Sequence, residues 1–217
     1  MKADQGSIET SNAGISGVYN TSSTLILATT NGRVDTDVGL SSIDASKPNL
    51  VLATSNAYVH VLNHLVNPNQ LTLICFLLFS HITSRISLIS DKGLGGVFKV
   101  TSGTSNGRLD IDFPAAPPDS ILEFAGKTSN AGVAVSLNPA YEGNFLLRTS
   151  IAKPQINSDK SVTDPSGRNR KRSLSIKQDG RLAIFGEVFW DDATEQEVLK
   201  AGTVFLRTSN ARIDLNL

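Results

Sequence analysis

The sequence predicts an all-β chain wound as a parallel β-helix or solenoid of about 20–25 residues per coil. Three observations predict it. First, Thr-Ser-Asn followed by Gly or Ala recurs at Thr10–Ala13, Thr54–Ala57, Thr104–Gly107, Thr128–Ala131 and Thr208–Ala211. A Thr-Thr variant stands at Thr29–Gly32, and a degenerate copy without the Asn at Thr149–Ala152. Second, the copies are flanked by short runs in which apolar and polar residues alternate, the mark of a half-buried strand. Third, the asparagines at 12, 31, 56, 106, 130 and 210 are separated by 19, 25, 50, 24 and 80 residues. Several of these steps are near one coil, and the two large ones leave room for unmarked coils.

Taken in order, the strands before the motifs include Thr24–Ala28, Asn49–Ala53, Asn144–Arg148 and Thr203–Arg207. Those after them are Arg33–Asp35, Arg108–Phe113, Gly132–Leu137 and Arg212–Leu217. Their alternation places Val34, Leu109, Ile111, Phe113, Val133, Val135, Leu137, Ile213, Leu215 and Leu217 inside. At the corners, Thr, Ser and Asn stack on their counterparts one coil away and bond to them, and Asn tolerates left-handed backbone angles. Asn-Gly between two β runs also suits a tight hairpin, so an antiparallel β-sandwich is the competing architecture.

Residues 1–217 read as one domain with two breaks. From about 62 to 90 the composition turns apolar, as in Leu71–Phe79, and this stretch holds the sole cysteine, Cys75, with His64 and His81. It reads as a foreign insertion, translated intron included, or as a buried strand or helix lying over the coils. The run is too short to cross a membrane. The second break, Asn157–Arg172, is a polar loop ending in the basic cluster Arg168–Arg172. That cluster suits a nuclear signal, a processing site, an anionic-surface contact or, as the preferred reading, a solvated loop. Strands return at Ser173–Ile176 and Arg181–Phe185 around an Asp179-Gly180 turn, and Asp191–Lys200 reads as a loop or one helical turn. Leu217 then falls on a strand that leaves an open edge unless Thr203–Leu217 covers it.

The Thr-Ser-Asn-Ala repeats, Phe113–Ser120, Pro139–Gly143 and Asp164–Arg168 together resemble a family of adhesin-like β-solenoid domains of basidiomycete fungi, related to adhesin domains of bacteria. The likeness covers most of the chain but not Leu62 to about Ile86, which the family pattern lacks. It implies a non-enzymatic surface module and, since many members carry an N-terminal membrane anchor, a membrane-anchored or cell-surface location. It implies no catalytic residues and no cofactor.

The chemistry-bearing residues point the same way. Lys plus Arg and Asp plus Glu number 20 each, so a nucleic-acid partner, which needs a basic excess, is not expected. One cysteine excludes an internal disulfide and a cysteine-rich zinc site. No apolar leader follows Met1, and Asn20-Thr21-Ser22 is a glycosylation sequon only if the chain is secreted. No phosphate-binding glycine loop or nucleophile elbow is present, and His60, His64 and His81 read as structural or exposed.

One polar pattern recurs. Arg33-Val34-Asp35, Arg108-Leu109-Asp110 and Arg212-Ile213-Asp214, extended by Asp37 and Asp112, place Arg and Asp on the same outer face. The plain reading is weak surface ion pairs. The functional reading is a carboxylate groove for sugar or calcium. The expected partners are therefore cell-wall polysaccharide or other surface polymers. A carbohydrate-active enzyme on the same scaffold and an intracellular scaffold protein are the alternatives.

Overall fold

The computed structural model describes residues 2–31, 34–41, 49–54, 59–66, 71–77, 82–89, 93–159, 161–191 and 201–217; between 34 and 77 it describes the backbone alone. The strands run β1 (Lys2–Thr10), β2 (Ile15–Thr29), β3 (Val34–Ser41), β4 (Asn49–Thr54), β5 (Val59–Val66) and β6 (Leu71–Leu77). Next come β7 (Ile82–Ile89), β8 (Val97–Thr104), β9 (Leu109–Ala115), β10 (Ile121–Lys127), β11 (Val133–Ser136) and β12 (Gly143–Arg148). The last are β13 (Gln155–Asn157), β14 (Arg172–Asp179), β15 (Ala183–Trp190), β16 (Gly202–Arg207) and β17 (Ile213–Asn216). Among the described residues there is no helix, and none long and apolar enough to cross a membrane. The protein is all-β.

Pairing follows a next-but-one rule. On one side β2, β4, β6, β8 and β10 form a parallel ladder. On the other, β3, β5, β7, β9 and β11 form a second one. The long β2 serves both, pairing through Ile15–Thr21 with β3 and through Thr24–Thr29 with β4, while β1 lies beside its C-terminal half. The antiparallel sandwich does not fit this order. Parallel neighbours require crossovers rather than hairpins, and among the described strands only β15 runs antiparallel, to β12 and to β14.

The apolar stretch takes a full place in the ladders. β6 pairs with β4 and β8, and β5 and β7 continue the second ladder between β3 and β9. Register steps match the spacing of the asparagines. Ile15 faces Val34, a step of 19; Val34 faces Val59, a step of 25; Leu109 faces Val133, a step of 24. The interval of 50 divides into 23 (Val59 to Ile82) and 27 (Ile82 to Leu109).

The interval of 80 does not divide. Glu123 faces Thr203 and Val133 faces Ile213 directly, so β16 and β17 lie next to β10 and β11. On their far side lie β12 and β13, which come earlier in the chain: Asn144 faces Thr203 and Gln155 faces Asp214. The expectation of unmarked coils inside this interval is thus corrected. The strand that carries Leu217 is no open edge: β17 lies between β11 and β13, and Leu217 is buried. The spacing records register and is silent about the detour taken between paired strands.

Alternation in the sequence becomes alternation in burial. β10 buries Leu122 and Phe124, β16 buries Val204 and Leu206, and β12 buries Phe145 and Leu147. The facing ladder contributes Leu109, Ile111, Phe113, Val133, Val135, Leu137, Ile213, Leu215 and Leu217, all expected inside and all buried. Val34 lies outside the described side chains. Each of these residues contributes about 1.5–3 kcal/mol relative to exposure. Phe113 and Phe124 meet edge to face at 5.4 Å, joining the two ladders. β14 and β15 extend the first ladder beyond β12, joined by a turn in which the Gly180 amide donates to Ala183 O at 2.9 Å. Residues 192–200, read as a loop or helical turn, lie outside the described residues.

Candidate functional site

The repeated motif is a corner, and its polar atoms are occupied by one another. Thr10 and Thr104 accept from the amides of Ala13 and Gly107 at 3.3 and 3.1 Å, closing each turn. The hydroxyls of Thr29, Thr128 and Thr208 donate across to the carbonyls of Ala13, Gly107 and Ala131 at 3.1, 3.1 and 2.9 Å. The amides of Asn31, Asn130 and Asn210 donate to the side-chain oxygens of Asn12, Asn106 and Asn130. Asn56 and the rest of that copy from residue 55 lie outside the described residues. A polar row bonded in this way satisfies the corner.

Among the described residues, the carboxylates of the Arg-Φ-Asp pattern are each paired with an arginine. Arg108 Nε lies 2.8 Å from Asp110, and Arg212 Nε lies 2.9 Å from Asp214. Asp112 is taken by Arg85 of β7 at 3.2 Å. Ala134 stands between Asp110 and Asp214 in the ladder, which sets the two carboxylate positions about 10 Å apart. Arg33 lies outside the described residues, and Asp35 and Asp37 are described only as backbone positions on β3. His60 and His64 are likewise backbone positions on β5, Cys75 is one on β6, and His81 lies outside. Among the described residues no three His, Cys, Asp or Glu side chains gather as a metal site. The pairs are exposed on at least one side and contribute about 0–1 kcal/mol each.

The basic cluster is not a solvated loop. The Arg170 side chain is 8 % exposed and the Asp164 side chain 1 %. Asp164 accepts from Arg170 Nε at 3.1 Å, from the Ser166 hydroxyl at 2.7 Å and from the Ser166 and Arg170 amides at 2.9 and 3.1 Å. Arg170 Nη1 also reaches Glu142 at 3.4 Å. Arg170 and Arg172 stand 5.9 and 5.7 Å from the ring centre of Trp190, whose Nε1 donates to Pro139 O at 3.1 Å. Arg168 and Lys171 remain exposed. The run Arg168–Arg172 thus divides between solvent and a packed lock that seats the loop on β15.

Arg170, and then Ser166, hold the Asp164 carboxyl well below the usual carboxylate range. A depressed carboxylate stabilises fully above its ordinary pKa, and that contribution is lost as pH falls through the folded value. Below about pH 4 the wild type is therefore expected to lose stability that Asp164→Asn already lacks at neutral pH. Unfolding midpoints followed by fluorescence of Trp190, the only tryptophan, check it. The gap between the two proteins narrows on acidification, and a constant gap would contradict the assignment.

Burial pushes the Tyr141 hydroxyl well above its ordinary value, and it donates to Asn144 O at 2.6 Å. A void of about 10 Å³ beside it, lined by Leu88, Phe113 and Leu122 among others, is too small for an organic ligand.

One surface arrangement escaped the sequence reading. Lys127 faces Arg207, and Arg207 faces Arg148, on three adjacent strands. The backbone confirms the contact: the Thr128 amide donates to Arg207 O at 2.9 Å and the Thr208 amide to Arg148 O at 3.0 Å. All three side chains are exposed. The available signal was alignment of the motif copies. The residue before the motif threonine reads Glu9, Ala28, Ala53, Gly103, Lys127, Arg148, Arg207. Comparison with protein-family models, with curated proteins and with solved structures finds no match for this chain.

Proposed function

We propose that the chain is a non-enzymatic, adhesin-like surface-display module, wound as a parallel β-solenoid, that holds cell-wall polysaccharide or another surface polymer on its outer faces. The observation that carries this reading is the shared parallel register of two facing ladders, with the Thr and Asn rows bonded along one corner. Such a body offers regular outer rows, suited to many weak contacts with a repeating polymer. The carbohydrate-active enzyme draws no support from the outer carboxylates of Asp110, Asp112 and Asp214, since each is engaged by an arginine.

Two linked experiments test the reading. Co-pelleting with insoluble glucan and chitin is expected to show saturable binding with no new reducing ends in the supernatant. Released sugar would replace the module with an enzyme, and absence of binding by folded protein would favour the intracellular scaffold. The winding is tested by deletion. Removing residues 59–81 takes out one whole register step, since Val59 faces Ile82, and sets β7 beside β3. That variant is expected to unfold cooperatively, whereas removing 71–81 leaves β7 in the wrong ladder and abolishes the transition. Two variants of equal stability would defeat the solenoid.

A further inference from the structure

The outer face of β10, β16, β12 and β15 carries three rows of different chemistry. Lys127, Arg207 and Arg148 form the first row. Two residues back along β10, β16 and β12, and two onward from Ala183 on the antiparallel β15, Ala125, Phe205, Leu146 and Phe185 form an apolar row, with Phe205 and Leu146 exposed. One row further, Glu123, Thr203, Asn144 and Glu187 form a polar one.

Like charges placed directly opposite one another on adjacent strands are destabilising. Elsewhere on this ladder cations are neutralised: Lys99 by Glu123 at 3.7 Å and Lys177 by Glu187 at 2.7 Å. No carboxylate reaches Lys127, Arg207 or Arg148 among the described residues. The uncompensated charge is therefore a line about 10 Å long, set across the strands at their spacing. A line suits a linear polyanion better than the two-dimensional charge of a membrane surface. Phe205 and Leu146 beside it offer an apolar bed for the C–H face of a sugar ring, and Thr203 and Asn144 offer partners for hydroxyls.

We infer that the column Lys127–Arg207–Arg148, with Phe205 and Leu146 alongside, binds an acidic polysaccharide whose carboxylates lie on the three cations. Arginine forks match carboxylate geometry, so each charged sugar is oriented as well as attracted. This rests on the polymer-binding reading above and gives that reading a site and a ligand class.

The test compares wild type, Lys127→Gln/Arg148→Gln/Arg207→Gln, and a charge-matched variant, Arg85→Gln/Lys99→Gln/Lys177→Gln, whose cations are all paired in the fold. The probes are polygalacturonate, neutral glucan, phosphatidylserine vesicles and a DNA duplex. Wild type is expected to bind polygalacturonate in a salt-sensitive manner, and the column variant at least about tenfold more weakly. The charge-matched variant keeps the affinity. The thermal midpoint of the column variant does not fall, because the repulsion has been removed. Undiminished polygalacturonate binding by the column variant would overturn the site, as would equal losses in both variants. Wild type that prefers vesicles or duplex would overturn the ligand class. In those outcomes, unchanged binding to neutral glucan leaves the wider module reading standing, whereas loss of every polymer sinks both.

Discussion

Gly143→Ala is expected to unseat β12 from β16 and to destabilise the protein by about 4 kcal/mol or more. Gly143 faces Gly202 across the ladder, and its backbone sits at φ +154°, a conformation that residues with a Cβ rarely adopt. A Cβ there would fall 2.1 Å from Gly202 O, 2.6 Å from its carbonyl carbon and 2.8 Å from its nitrogen. All three are backbone atoms, so no side-chain rotation relieves the clash. Either the two strands separate or the amide of Gly202 gives up its 3.0 Å bond to Glu142 O. Urea unfolding followed by Trp190 fluorescence measures the change, and a midpoint near that of wild type would show that the strands do not approach so closely.

The second large effect concerns how that inserted strand fills the core. Leu206 is fully buried, and Leu206→Ala is expected to cost about 2–5 kcal/mol through lost burial and the cavity left behind. Gly126 of β10 lies against it: a Cβ at 126 would come within 3.0 Å of Leu206 Cδ2, 3.1 Å of Leu109 Cδ2 and 3.2 Å of Phe124 Cζ. Gly126→Ala alone overpacks the site by about 1–3 kcal/mol. The double variant is expected to be more stable than the two losses added together, because the methyl at 126 occupies part of the space vacated at 206. Strict additivity in a double-mutant cycle would mean that the two residues do not share one packing site.

Much of the strand pattern was legible because period-2 alternation and the corner motif are local signals. Leu109-Asp110-Ile111-Asp112-Phe113 alternates in sequence and in burial. The asparagine steps of 19 and 24 equal the register steps because Asn31 bonds Asn12 and Asn130 bonds Asn106 on the paired strands. Local signals fail where the chain leaves and returns. Nothing near Thr208 reveals that Asn210 docks on Asn130 rather than beyond Ala152. The same blindness hid the cationic column, since Lys127 and Arg207 are brought together by an 80-residue step and Arg148 by a backward one of 59. Arg170 was misread for a different reason: its partners Asp164 and Glu142 and its platform Trp190 come from both sides of the loop. A run of basic residues alone does not show which of them meets a buried carboxylate.

The position of β16 and β17 sets an order of events. Up to Leu137, successive tiers can settle as they leave the ribosome, each on the one before, with register steps of at most 28 residues. β12, β13 and the β14–β15 hairpin emerge next, yet the surface they finally occupy is made by residues synthesised after them. Closing the longer segment adds only about 1 kcal/mol of chain entropy over an ordinary tier, so the finished state bears it easily. The timing is another matter, because non-local contacts form slowly. The apolar face of β12, with Phe145 and Leu147, waits in the nascent chain for Val204 and Leu206, and that interval is when a chaperone or a protease would meet it.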